Sequence, residues 1–87
     1  MNKAELITTF AEERGETKAF ASDAVNDVLG IIQSELVHGG TVELKGFGSF
    51  KVRSRPAREG HDPRTGKPMT IAARRVVTFK PSSVLLG

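Results

Sequence analysis

The chain has 87 residues, with thirteen basic and ten acidic side chains, five phenylalanines as its only aromatics, and no cysteine. A chain of this size makes one small domain whose core is marginal when it folds alone. The lack of cysteine excludes a disulfide framework and a thiolate metal site. No apolar run approaches the roughly 20 residues that cross a bilayer, and the Asn2-Lys3-Ala4-Glu5 start is not that of a signal peptide, so a cytoplasmic chain is expected.

The net charge of +3 hides a strong asymmetry. Residues 1 to 44 carry three basic side chains (Lys3, Arg14, Lys18) against eight acidic ones, a balance of 3 − 8 = −5. Residues 45 to 80 carry ten basic side chains against Glu59 and Asp62, a balance of 10 − 2 = +8. A solvated charged loop would mix the two signs. One sign gathered in one half is instead the electrostatic footprint of nucleic-acid binding.

Taken in order, the first predicted element is a helix capped by Asn2, with Glu5 in the capping-box position. Leu6, Ile7, Phe10 and Ala11 share one face, and Gly15 ends the helix. Thr17 caps a second, longer helix that runs to about Val37 or His38. Its stripe of Ala21, Ala24, Val25, Val28, Leu29, Ile32 and Leu36 is amphipathic. Ile31 and Val37 widen the stripe beyond what one short partner helix covers, which predicts apolar surface shared between subunits. Ala21, Ala24 and Gly30 fit either a close helix crossing or mere tolerance of small residues; sequence leaves both open. Gly39-Gly40 stops the helix, and a strand is predicted over Thr41 to Lys45. Gly46 and Gly48 flank Phe47 in a tight connection to the next strand.

The stretch from Gly46 to Lys80 then alternates with a period of two on either side of a Gly/Pro-rich tip. That pattern predicts two antiparallel strands extended into a long hairpin. Phe50 and Val52 face one way, while Ser49, Lys51, Arg53 and Arg55 face the other as a cationic rail. Residues 53 to 75 hold Arg53, Arg55, Arg58, Arg64, Lys67, Arg74 and Arg75 but few large apolar side chains. Such a ribbon has little to bury and projects into solvent toward a polyanion. The return strand ends at Lys80 before Pro81, and Ser82 or Ser83 caps a last turn holding Val84, Leu85 and Leu86. The expected organisation is thus a single domain over 1–87: a helical hairpin in 1–40, a sheet in 41–81 with its arm at about 53–75, and a short terminal turn in 82–87.

The chemistry on offer is binding. Gly60 and Gly66-Lys67 have the wrong spacing for a phosphate loop, with Pro68 where a hydroxyl would hold magnesium, and Gly46-Phe47-Gly48 leads into a strand where a dinucleotide fingerprint needs a helix. His38 and His61 have no second ligand nearby in sequence; His61, if protonated, adds to the charge of the arm. No Ser/His/Asp set or carboxylate pair can be assembled, so neither catalysis, cofactor, metal nor small-molecule substrate is expected. Pro63 reads in two ways. It is an ordinary turn proline, or a rigid apolar wedge that enters the minor groove between base pairs, a reading favoured by the cations on both flanks. None of the phenylalanines interleaves with those cations, as a single-strand stacking platform requires, so duplex DNA is the better target.

These residues resemble a known family. The Asn2-Lys3-x-Glu5-Leu6-Ile7 start, Gly46-Phe47-Gly48-x-Phe50, Pro63-x-Thr65-Gly66 and Ile71 occur in the order and spacing of the bacterial histone-like DNA-binding proteins, HU and integration host factor, over nearly the whole chain. The family is itself a standing example of minor-groove bending. The resemblance implies an α+β fold: an intertwined dimer, homodimeric or heterodimeric, with a helical base, a β-sheet saddle and two extended β-hairpin arms whose tip prolines intercalate. It implies that Pro63 is the wedge, that Arg55, Arg58 and Arg74 contact minor-groove edges and phosphates, and that Lys3 meets phosphates on the flank. Arg53, His61, Arg64, Lys67, Arg75 and Lys80 complete the expected DNA-binding set, and a nucleoid-associated location goes with it.

Two departures from the family pattern stand out. Gly60-His61-Asp62-Pro63 replaces the usual Gly-Arg-Asn-Pro and removes positive charge from the tip. Ser82, Ser83 and Leu86 stand where the family continues with a glycine and lysines into a longer third helix, so a shorter or less tightly wrapped DNA site is expected. The alternatives are a sequence-preferring bender of the integration-host-factor type, which reads deformability, and a module whose basic hairpin docks an acidic protein.

Overall fold

The computed structural model describes all 87 residues. The first helix, α1, spans Lys3–Arg14. Asn2 stands just before it in extended conformation, and its Oδ1 accepts the Glu5 amide at 2.8 Å, satisfying one of the donors that a helix start leaves open. At the other end Gly15 turns left-handed at φ 66°, and the Glu16 amide reaches back to the Ala11 carbonyl at 2.9 Å. The second helix, α2, spans Lys18–Val37. Thr17 Oγ1 accepts the Phe20 amide at 3.1 Å, so both caps fall where the sequence puts them. Gly39 and Gly40 close α2 by donating to the carbonyls of Leu36 at 3.0 Å and Glu35 at 2.9 Å, a Schellman ending.

The chain divides into two compact units, residues 1–34 and residues 35–87. In the first, Phe10 stacks on Phe20 with ring centroids 6.5 Å apart. Ala11, Ala21 and Val25 are the only buried hydrophobic residues in the chain, and no large side chain is fully buried. Ala21, at 0 % exposure, is the tightly packed small residue that sequence left undecided. Within the single chain a Cβ at Gly30 would meet nothing within 4 Å. Val28 and Ile31 remain 57 % and 70 % exposed.

The second unit holds five strands: β1 (Val42–Leu44), β2 (Gly48–Arg55), β3 (Arg58–His61), β4 (Pro68–Ile71) and β5 (Arg74–Pro81). They form a three-stranded antiparallel sheet in the order β1-β2-β5 and a two-stranded ribbon of β3 and β4. The turn from β1 to β2 closes with the Phe47 amide on the Leu44 carbonyl at 2.9 Å. Gly48 is required there by close approach: a Cβ would lie 2.6 Å from Phe79 Cζ and 2.7 Å from the Lys80 carbonyl oxygen. Phe79 packs against Phe47 at 5.8 Å and Phe50 at 4.8 Å, giving this sheet its aromatic cluster. Beyond β5 the Ser82 amide bonds to the Phe47 carbonyl at 2.9 Å. Ser82 Oγ caps Val84 at 3.3 Å, and residues 83–86 form turns without completing a helix.

The hairpin departs from the expected uninterrupted pair of strands. Pairing stops after Arg55 opposite Arg74 and resumes at Arg58 opposite Ile71. Pro56, whose ring fixes φ away from the usual strand value, stands at the interruption. The break consists of Pro56 and Ala57 on one strand and Ala72 and Ala73 on the other, so it leaves the register unslipped.

Candidate nucleic-acid interface

Side-chain alternation along a strand sorts the cations by face. In the β2/β5 ladder Phe50 lies opposite Phe79 and Val52 opposite Val77, which defines the apolar face. Ser49 opposite Lys80, Lys51 opposite Thr78, Arg53 opposite Val76 and Arg55 opposite Arg74 define the other. Lys51, Arg53, Arg55, Arg74 and Lys80 therefore share one face, and all five are exposed. Directly opposed like charges disfavour strand pairing. The Arg55 and Arg74 pair thus stores local repulsion at the break, which a polyanion laid across it would relieve.

Beyond the break, Arg58, Gly60, Met69 and Ile71 lie on one face of the β3/β4 ribbon, and Glu59, His61, Pro68 and Thr70 on the other. Gly60 makes room for Ile71, whose Cδ1 would be 2.9 Å from an added Cβ. A recess of about 340 Å³ beside the break is lined by Arg55, Arg58 and Arg74 together with Pro56, Ile71 and Ala72.

The tip is built by Asp62. Its amide donates to the Lys67 carbonyl at 2.8 Å, its carbonyl accepts the Gly66 amide at 2.7 Å, and its Oδ1 accepts the Arg64 amide at 2.8 Å. This is an Asx turn, with Pro63 supplying the fixed φ of the next position. Thr65 Oγ1 accepts the Lys67 amide at 3.3 Å on the return side. Pro63 and Arg64 are exposed at the apex, and Arg64 Nε lies 3.9 Å from Asp62 Oδ1. The carboxylate whose presence lowers the positive charge of the tip is therefore also the acceptor that organises the turn.

Of the residues singled out from sequence, Arg53, Arg55, Arg74 and Lys80 come together on the sheet face, joined by Lys51, which belongs with them by alternation. Arg58 and His61 lie on β3, and Pro63, Arg64 and Lys67 belong to the tip turn. Lys3 begins α1 and lies in the other unit. Arg75 stands apart from the set. It pairs with Ser54 on the aromatic face, and its Nη2 donates to the carbonyls of Leu36 and Val37, both at 2.9 Å. Its guanidinium is thus engaged at the end of α2, on the face opposite to that of Arg53, Arg55 and Arg74.

Two capped helices, a three-stranded sheet with one aromatic and one cationic face, and a proline-tipped basic ribbon define a small α+β protein built to meet a polyanion. The sequence profile described as bacterial DNA-binding protein matches residues 1–86, and the chain belongs to that family. It is 49 % identical over 79 residues to the DNA-binding protein HRL18 of Rhizobium leguminosarum, covering 91 % of this chain and 87 % of that one. It is 47 % identical over 85 residues to the DNA-binding protein HU of Geobacillus stearothermophilus, covering 98 % and 94 %. Among solved structures, the Anabaena HU–DNA cocrystal structure aligns with a TM-score of 0.87 at 40 % identity, over 99 % of this chain and 94 % of that one. HU from Thermotoga maritima aligns with a TM-score of 0.69 at 29 % identity, over the same shares. The fold is that of the HU proteins. No helix is long and apolar enough to cross a membrane.

Proposed function

We propose that this chain is a non-enzymatic architectural protein that binds double-stranded DNA as a homodimer, bends it through its two arms, and works on the bacterial nucleoid with little base-sequence preference. The observation that carries the reading is the gathering of Lys51, Arg53, Arg55, Arg74 and Lys80 on one exposed sheet face at the root of a proline-tipped ribbon. These cations neutralise phosphates and release counterions. Arg58, Arg64 and Lys67 carry the charge along the arm, His61 stands beside the tip, and Pro63 is the wedge. Unstacking a base step costs a few kcal/mol, offset by the additional protein surface that bent DNA wraps. The family resemblance adds Lys3 as a further phosphate ligand. A similar relative solved with DNA supports the partner class. The dimer is supported by the sparse core of the single chain, which leaves Phe20, Val28, Leu29 and Ile31 exposed.

The test is a gel-shift series with linear, nicked and pre-kinked duplexes at two salt concentrations. Tighter binding to the nicked and kinked forms, weakening steeply with salt, is the expected outcome. Equal affinity for all three, or an affinity indifferent to salt, would overturn the reading.

A further inference from the structure

The α2 helix ends without a basic residue in its last turn, unlike α1, which has Arg14 there. A helix C-terminus presents unsatisfied carbonyls and partial negative charge, which a cation stabilises. The backbone donors of the closing turn, from Gly39 and Gly40, reach the carbonyls of Leu36 and Glu35. Arg75 reaches those of Leu36 and Val37 from the far side of the sequence, 38 to 39 residues away. One guanidinium nitrogen holds both oxygens at 2.9 Å, so the missing cation of α2 comes from β5.

The place of Arg75 on β5 gives this bond a consequence for the arm. It pairs with Ser54, immediately inside the Arg55 and Arg74 pair, which is the last rung before the ladder breaks at Pro56 and Ala73. That last rung is the like-charged one, where direct opposition disfavours pairing. We propose that Arg75 is a positioning residue. By tying β5 to the end of α2 one rung inside the break, it keeps the root of the arm closed against the repulsion of Arg55 and Arg74, and it confines movement of the arm to the Pro56, Ala57, Ala72 and Ala73 segment. Arg75 acts on DNA bending through this anchorage and does not touch phosphate. The inference rests on the DNA-bending reading for its consequence, but the anchorage itself can be measured without DNA.

The experiment compares the wild type with Arg75→Gln, Arg75→Lys and Arg53→Gln. Amide hydrogen exchange of the free protein is expected to speed up at least tenfold at Arg53, Arg55 and Val76 in Arg75→Gln, with Val42, Phe50 and Phe79 unchanged. Arg75→Lys, which keeps a cation at the carbonyls, should restore most of the protection. In DNA titrations Arg75→Gln should keep the wild-type salt slope while its distribution of bend angles, read by energy transfer between the duplex ends, broadens. Arg53→Gln should instead lower the magnitude of the slope by about 0.9 for each phosphate it no longer neutralises. A slope lowered in Arg75→Gln with exchange unchanged makes Arg75 a phosphate ligand and overturns the proposal. Exchange raised equally over the whole sheet reduces Arg75 to a general stabiliser, and also overturns it. A wild type that binds no DNA sinks the functional reading, while the exchange comparison still decides the anchorage.

Discussion

Pro63 follows a carboxylate that already holds the turn, so the proline ring is free to serve its outer surface. Replacing it by alanine leaves the Asp62 bonds to Arg64, Gly66 and Lys67 in place and removes only the rigid apolar ring. Pro63→Ala is therefore expected to reduce the bend angle more than the affinity, measured by energy transfer across a labelled duplex; an unchanged angle rejects the wedge. Asp62→Asn retains an Oδ1 acceptor for the Arg64 amide and deletes a negative charge next to the DNA. It should tighten binding at low salt, and a weaker complex would show that the carboxylate itself is needed. Gly48→Ala forces a methyl group against the Lys80 carbonyl and the Phe79 ring. Overpacking of this kind costs about 1 to 3 kcal/mol, to be read as a lower denaturation midpoint in urea.

At the scale of the element, the arm is two short ladders joined by an unpaired segment, and Pro56 is the residue that separates them. Pro56→Thr frees the backbone φ and supplies a side chain suited to strands. It should extend pairing across the break, seen as slowed amide exchange at Ala57 and Ala72, and stiffen the arm. The helices were legible in the sequence because their signals are local: Asn2, Gly15, Thr17 and Gly39 each act within a few residues of where they stand. Alternation along β2 likewise separated Phe50 and Val52 from the cationic rail. The break at Pro56 was not read from the sequence, because the strong alternation on either side of it predicts continuous strands. Arg75 was not legible as a helix cap, because the partners of its guanidinium are carbonyls nearly forty positions away and any basic residue in a basic stretch looks like a DNA ligand. The same holds for Asp62, where charge was readable and the three bonds of the tip were not.

For the whole molecule, the decisive quantity is how little one chain buries. Three small side chains cannot supply the burial on which a stable fold of this length depends. On the proposed reading a second copy supplies the missing burial, and stability becomes a function of concentration. The thermal midpoint should rise with protein concentration, each tenfold increase adding about 1.4 kcal/mol per mole of dimer; a midpoint unmoved by hundredfold dilution would show that the single chain folds alone. Ile31→Asp, which charges the most exposed position of the α2 stripe, should lower sedimentation mass and helix content together.

Within each of the two ladders, Gly48 to Arg55 opposite Arg74 to Pro81 and Arg58 to His61 opposite Pro68 to Ile71, the register sets a rule for how this arm can change length. Losing a residue from one strand alone forces a bulge. Losing one from each strand keeps the rungs aligned but turns every side chain beyond the cut to the opposite side, so that Pro63 would approach a duplex back to front. Only the removal or gain of two facing pairs preserves both alignment and handedness, shortening or lengthening the reach by about 6.6 Å at roughly 3.3 Å per residue. Engineered variants cut within one ladder should accordingly keep this grip only in steps of four residues.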